Sequence, residues 1–215
     1  MNKEIEKLAL SDILNAVVSF NKEVVVEKVK AAINSGISID EILNKGLIEA
    51  MDVVGTKFSN EDIFVPEMLQ SAKAMQAGLE VLKPHLTGDA MTNKGTVVIG
   101  TVKGDLHDIG KNLVTMMVES AGFNVIDLGI DVDTDKFVNE AQINNADVVC
   151  LSALLTTTMP SMAKTVEAIR EAGLKAKTII GGAPVTDAYA QKIGADGFGD
   201  NAPEAVELIR KLITV

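Results

Sequence analysis

The chain has 215 residues and a formal net charge of −10, with 47% apolar and only 3% aromatic residues; that suits one large domain or two small ones around an aliphatic core. The acidity speaks against nucleic acid and anionic membrane as partners, because phosphate binding needs clustered Lys and Arg. No apolar run reaches the roughly 18 residues that span a bilayer, and the charged start Met1-Asn2-Lys3-Glu4 lacks a signal-peptide core, so a cytoplasmic chain is expected.

Up to residue 87 helical periodicity dominates. Ile5, Leu8, Ala9, Ile13, Leu14, Val17 and Val18 form one apolar stripe at helix spacing. Asn21 is placed to cap a second helix carrying Val24, Val25 and Val29, which Gly36 ends. Ser38 with Glu41 reads as a capping box for a third, with Ile42, Leu43, Leu47, Ile48, Met51 and Val54. Pro66 suits the first turn of a fourth, through Met68, Leu69, Ala72, Met75, Leu79 and Leu82. Short connections make these a four-helix bundle over residues 1–87.

Residues 88–95, rich in Gly, Asp, Thr and Asn, read as a linker. Helix and strand then alternate. Strands are predicted at 96–102, 124–128, 148–154, 178–180 and 197–199, and helices at 109–121, 134–144, 161–172, 186–193 and 203–213, with Asp133, Ser161 and Thr186 as caps. Five βα units over residues 96–215 spell a doubly wound, flavodoxin-like parallel sheet. The single cysteine, Cys150, lies in the apolar run 148–151; it excludes an intramolecular disulfide and reads as a small buried hydrophobe.

The chemistry concentrates where the first strand of that sheet ends, at Gly104-Asp105-Leu106-His107-Asp108-Ile109-Gly110. Open α/β sheets bind ligands at the carboxyl ends of their strands. His107 is one of two histidines in the chain, the other being His85 in the helical region. A lone loop histidine is compatible with a purely structural role, with a general base or with part of a zinc site, although zinc would need further ligands. A metal already chelated by a cofactor needs one protein donor. Asp105 fits that case, because a ligating imidazole usually passes its second ring N–H to a carboxylate. The third strand ends in Ser152-Ala153-Leu154-Leu155-Thr156-Thr157-Thr158 and the fourth in Gly181-Gly182; each alone is equally compatible with a turn, but all three loops fall along one sheet edge.

Asp105-Leu106-His107-Asp108-Ile109-Gly110, followed by Ser152-Ala153-Leu154 and Gly181-Gly182, resembles in order and spacing the Asp-x-His-x-x-Gly, Ser-x-Leu and Gly-Gly elements of cobalamin-binding proteins. Upstream, Val53-Val54-Gly55, Phe58 and Phe64-Val65-Pro66 resemble the helical cap preceding that module in cobalamin-dependent methionine synthase. The chain as a whole resembles the corrinoid proteins of anaerobic methyltransferase systems, which serve methanol, methylamines, betaines or methoxylated aromatics.

The resemblance implies cobalamin or a related corrinoid as cofactor, methylcobalamin in the loaded form, with His107 as the lower axial ligand of cobalt and Asp105 orienting it. Thr158 stands where the family has a hydroxyl completing a ligand triad. Ser152, Leu154, Gly181 and Gly182 would line the slot for the displaced nucleotide tail. Thr156, Ala202 and the segment Gly104, Asp105, Leu106, His107, Asp108 and Gly110 would touch the corrin or its side chains, and Phe58, Val65 and Met68 would form the apolar cap. The implied function is non-catalytic: a carrier of methyl between a substrate-specific methyltransferase and a second one acting on tetrahydrofolate or a coenzyme thiol, with a reductive activation protein as a further partner and the linker as a hinge. The alternatives are a cobalamin-dependent sensor, disfavoured by the lack of a basic recognition helix, and an adenosylcobalamin mutase subunit. A flavin-binding or response-regulator-like domain is a further alternative; with no Trp and only Tyr189 to stack on the ring, flavin has little support.

Overall fold

The computed structural model describes residues 3–85 and 94–213. They form two compact units, the first built from the helices before residue 86 and the second from the strands and helices after residue 94. The predicted linker, 88–95, lies outside the described residues except for Lys94 and Gly95.

The helical unit has four helices among the described residues. Helix α1 (Lys3–Val18) buries Leu10, Ile13, Ala16 and Val17, and α2 (Lys22–Asn34) buries Val25, Val29 and Ala32. Asn21 caps α2 as its sequence suggests, its Oδ1 accepting the Val24 N–H at 3.2 Å. Helix α3 is composite: one α turn (Ile39–Glu41) capped by Ser38, a π-helical stretch (Ile42–Ile48) and a longer α segment (Glu49–Ser59). Periodicity does not announce the π stretch. Its Gly46 lies so close to α1 that a Cβ there would sit 3.1 Å from the Ile13 side chain. Helix α4 (Val65–Leu82) carries Pro66 in its first turn, where the missing N–H costs no helical hydrogen bond, and runs into a 3₁₀ turn, Lys83–His85.

The α/β unit is a five-stranded parallel sheet in the order β2-β1-β3-β4-β5: β1 (Thr96–Thr101), β2 (Asn124–Asp127), β3 (Val148–Ser152), β4 (Lys177–Gly181) and β5 (Gly197–Gly199). Helices α5 (Ile109–Ser120), α6 (Thr134–Ile143), α7 (Met159–Glu171), α8 (Asp187–Ile193) and α9 (Ala202–Ile213) alternate with the strands. β1 is buried along its whole length and β3 up to half-buried Ser152, which is why they read as apolar runs rather than alternating ones. Strand order reverses between β1 and β3, so the topological switch point lies between their carboxyl ends. Register aligns Thr101, Ser152, Gly181 and Gly199 as a row of small residues along that edge.

Three local expectations need correcting. β3 stops at Ser152 instead of Leu154, because the Leu154 and Leu155 N–H groups turn out of the sheet toward a carboxylate. Helix α7 starts at Met159, and Ser161 is not its cap; the Ser161 hydroxyl donates to the Lys103 carbonyl at 3.1 Å, and Thr158 occupies the cap position. Asp133 holds the cap position of α6 and its carbonyl accepts the Lys136 N–H at 3.0 Å, but its side chain makes no capping bond and lies instead 3.4 Å from the Lys103 ammonium. Thr186 does cap α8, accepting the Tyr189 N–H at 3.2 Å.

Candidate functional site

The loop leaving β1 turns at Gly104, whose φ of +86° lies in the left-handed region that favours glycine. The turn drives Asp105 inward until its side chain is fully buried. A buried carboxylate must be paired or hydrogen-bonded, and this one accepts at both oxygens. Oδ2 takes the Leu154 N–H at 2.7 Å, the Leu155 N–H at 3.3 Å and the Thr158 hydroxyl at 2.7 Å. Oδ1 takes the His107 N–H at 3.1 Å and faces the His107 Nδ1 at 3.0 Å.

Burial pushes the Asp105 carboxyl up, but the hydrogen bonds from Leu154, Thr158 and His107 outweigh it and hold the group well below the usual carboxylate range. The positive end of α7, whose first residue follows Thr158, favours the same charged form. An ionised carboxylate has no proton to give, so in this contact Nδ1 is the donor and the neutral imidazole keeps its free lone pair on Nε2. The His107 side chain is 53% exposed, so Nε2 is presented at the edge of the sheet by a buried support.

Further bonds fix that support. The buried Thr101 hydroxyl donates to the His107 carbonyl at 2.8 Å. From the loop after β2, Asp131 Oδ1 accepts the Gly104 N–H at 2.8 Å and the Asp131 N–H donates to the Asp105 carbonyl at 3.0 Å. The Gly104 N–H, with the Lys103 ammonium, holds the Asp131 carboxyl below its ordinary value. At the start of α5, the buried Lys111 ammonium reaches Asp127 Oδ2 at 2.5 Å and Asn112 Oδ1 at 2.6 Å, while Asn112 Nδ2 donates to Asp108 Oδ2 at 3.0 Å.

Around the imidazole the edge is apolar and exposed: Leu106, Ile109, Ile130, Leu154 and Leu155 all show 41% or more of their surface. Solvent-exposed large aliphatics in one place mark a binding surface. Toward β4 and β5 the edge is walled by half-buried Ser152, Gly181 and Gly199. Gly182 is demanded by backbone alone, since at φ +129° a Cβ would sit 1.9 Å from the Ala153 carbonyl oxygen.

Structure thus gathers Gly104, Asp105, Leu106, His107, Asp108, Ser152, Leu154 and Thr158 about the switch point, with Thr156 exposed on the loop after β3 and Gly110 exposed in the first turn of α5. Ala202, the first residue of α9, is buried. Phe58, Val65 and Met68 belong to the helical unit: Phe58 is half-buried, Val65 is exposed and Met68 is completely enclosed, so it offers no free surface as the chain stands. Sequence reasoning missed Ile109, Ile130, Asp131, Leu155 and the Lys111–Asp127 pair. The signal for Ile130 and Asp131 was present: they lie in the loop after β2, at the same sheet edge. Among the described residues no group of three or more His, Cys, Asp and Glu comes together as a metal site, and no helix is long and apolar enough to cross a membrane.

A doubly wound sheet with one oriented imidazole and an apolar apron at its switch point defines a ligand-binding α/β protein. Residues 95–207 match the B12 binding domain family, and residues 9–83 match a second B12 binding domain family. The chain is 43% identical to dimethylamine corrinoid protein 1 of Methanosarcina acetivorans over 207 residues, covering 95% of this chain and 97% of that one. It is 40% identical to trimethylamine corrinoid protein 1 of the same organism, covering 93% and 94%. Among solved structures, the methanol:cobalamin methyltransferase complex of Methanosarcina barkeri matches with a TM-score of 0.86 at 31% identity, covering 96% of this chain and 80% of that chain. The chain belongs to the corrinoid proteins built on a B12 binding domain, and its cofactor is a cobalamin-type corrinoid.

Proposed function

We propose that this chain carries a methyl group on the cobalt of its corrinoid, which His107 would hold through Nε2, between a substrate-specific methyltransferase and a second methyltransferase acting on tetrahydrofolate or a coenzyme thiol. The observation that carries the reading is the Asp105–His107 pair, a buried carboxylate directing one exposed imidazole lone pair outward. The donor set fits the group: a metal chelated in the plane by its own macrocycle needs one nitrogen, and the apolar side chains beside His107 suit a flat organic ring. When bound, the corrinoid supplies the metal that accepts and releases the methyl group, and the protein supplies orientation and electrostatics.

The residues of the chain divide that task. Asp105 fixes the Nδ1–H tautomer and ring plane of His107, so that Nε2 is the nitrogen left to meet a metal. Leu154, Leu155 and Thr158 keep Asp105 charged, and the charged carboxylate holds that tautomer. Ser152, Gly181 and Gly182 are assigned to the nucleotide tail.

Relatives named for dimethylamine and trimethylamine at 43% and 40% identity favour a methylamine as donor, ahead of methanol, betaines and methoxyaromatics. A reductive activation protein would serve as a third partner. The ligand is tested by loading wild type and H107A with hydroxocobalamin and comparing visible spectra: distinct spectra are expected, and superimposable ones end the axial assignment. The donor is tested by supplying each purified methyltransferase type with its substrate and following methylation of the bound corrinoid.

A further inference from the structure

We propose that Asp131 is a positioning residue for His107, gripping the loop after β1 from the loop after β2. The inference rests on the reading of His107 as the axial ligand and adds to it a residue outside the motif that holds the histidine.

Asp131 touches three consecutive residues just before His107. Its Oδ1 accepts the Gly104 N–H at 2.8 Å, its own N–H donates to the Asp105 carbonyl at 3.0 Å, and its Oδ2 lies 3.4 Å from the Lys103 ammonium. Gripping one peptide segment with both side chain and main chain fixes its rotation as well as its position. The segment so held is the backbone that aims the Asp105 side chain, and Asp105 in turn aims the His107 ring.

The geometry comes at a cost. Asp131 has a φ of +51°, one of four non-glycine residues with positive φ among the described residues. That conformation is strained outside glycine and persists where surrounding contacts over-determine it. Glycine would remove the strain, and two residues earlier the same loop does carry one, Gly129, at φ +86°. Asn would tolerate the conformation nearly as well as Asp and would keep an oxygen acceptor for Gly104. The acceptor on the side chain is what glycine cannot supply. The opposite arm of the histidine loop is held differently, by Thr101 on the His107 carbonyl and by Asn112 on Asp108, so loss of Asp131 frees one side only.

The test uses the full chain without cofactor, uniformly labelled with ¹⁵N. With only two histidines present, H85Q assigns the ring signals. Amide exchange at Asp105 and His107, the tautomer of the His107 ring and the thermal midpoint are compared in wild type, D131N, D131A and D131G. The proposal expects D131A and D131G to speed exchange at these amides by about tenfold or more, the scale of losing a charge-assisted hydrogen bond, and to mix the His107 tautomers. D131G should do so with a midpoint at or above that of D131A, because its strain is relieved, and D131N should stay close to wild type. Wild-type exchange and tautomer in folded D131A and D131G would overturn the proposal, as would a D131N as loosened as D131A. Failure of the axial-ligand reading is distinguishable: it appears as an H107A spectrum identical to wild type with cobalamin bound, while the response of the cofactor-free loop to D131A is unchanged.

Discussion

Among the described residues, stretch 3–85 buries a single polar side chain, Ser71, whereas stretch 94–213 buries eight polar or charged ones, including Asp105, Lys111, Thr101 and Thr158. The helical unit is held by aliphatic packing, where any apolar side chain of suitable volume serves. The α/β unit accepts desolvated polar groups near the carboxyl ends of its strands, and Asp105, Thr101 and Thr158 converge on the histidine loop. A buried network of this kind is stable only when every member is satisfied. Its return is orientation: the exposed side chain of His107 inherits its tautomer from groups that water does not reach.

The contrast can be broken most forcefully at Asp105. D105A leaves three backbone N–H groups, a hydroxyl and the His107 ring N–H without their acceptor and should lower stability by about 3–5 kcal/mol, measured by urea unfolding followed by circular dichroism. The same carboxylate sets an acid limit. Its folded value lies below the unfolded one, so the unfolded chain binds more protons in the interval between them. The contribution is therefore complete above the ordinary carboxylate value of about 4 and is lost as pH falls below it. Unfolding midpoints measured against pH should fall less steeply below that value in D105N than in wild type.

In the helical unit the corresponding change is a cavity. M68A empties a fully buried site in α4 and should lower stability by about 2–4 kcal/mol, with the His107 tautomer unaltered in the same sample by ¹⁵N NMR. T158V removes one of several donors to Asp105 and should lower stability by about 1–2 kcal/mol, with recovery in T158S; a valine variant as stable as wild type would mean that the Leu154 and Leu155 amides suffice. Least affected should be H107A, since the side chain is half exposed: a change within about 0.5 kcal/mol, against a clear change in the spectrum of bound corrinoid. Large effects from the support and a small one from the ligand would sharpen the division between what folds the chain and what the chain presents.

What the sequence disclosed follows the same division. Apolar periodicity located every helix of both units and every strand of the sheet, because burial of a face imposes a period on the residues that supply it. The motif at 105–110 located the imidazole and its carboxylate. Hidden were the features that depend on where one loop lies against another. Nothing local marks Leu154 and Leu155 as amide donors to a residue at the end of another strand, and the periodic pattern carried β3 too far for that reason. Ser161 looked like a cap because caps are read from residue type, yet its hydroxyl bonds the Lys103 carbonyl and the cap position falls to Thr158. Asp131 sits between two residues with no helical or strand pattern, and its strained backbone becomes visible only with coordinates. The π-helical stretch in α3 differs from an α-helix in hydrogen-bond spacing, which leaves the apolar pattern almost unchanged.

Cys150 lies in the central strand, two positions before the row that closes the sheet edge. Burial pushes its thiol up to about 12, so near neutral pH the reactive thiolate is scarce while the sheet stays closed. The rate at which an added alkylating reagent labels this cysteine becomes a direct clock for how often the middle of the sheet comes apart.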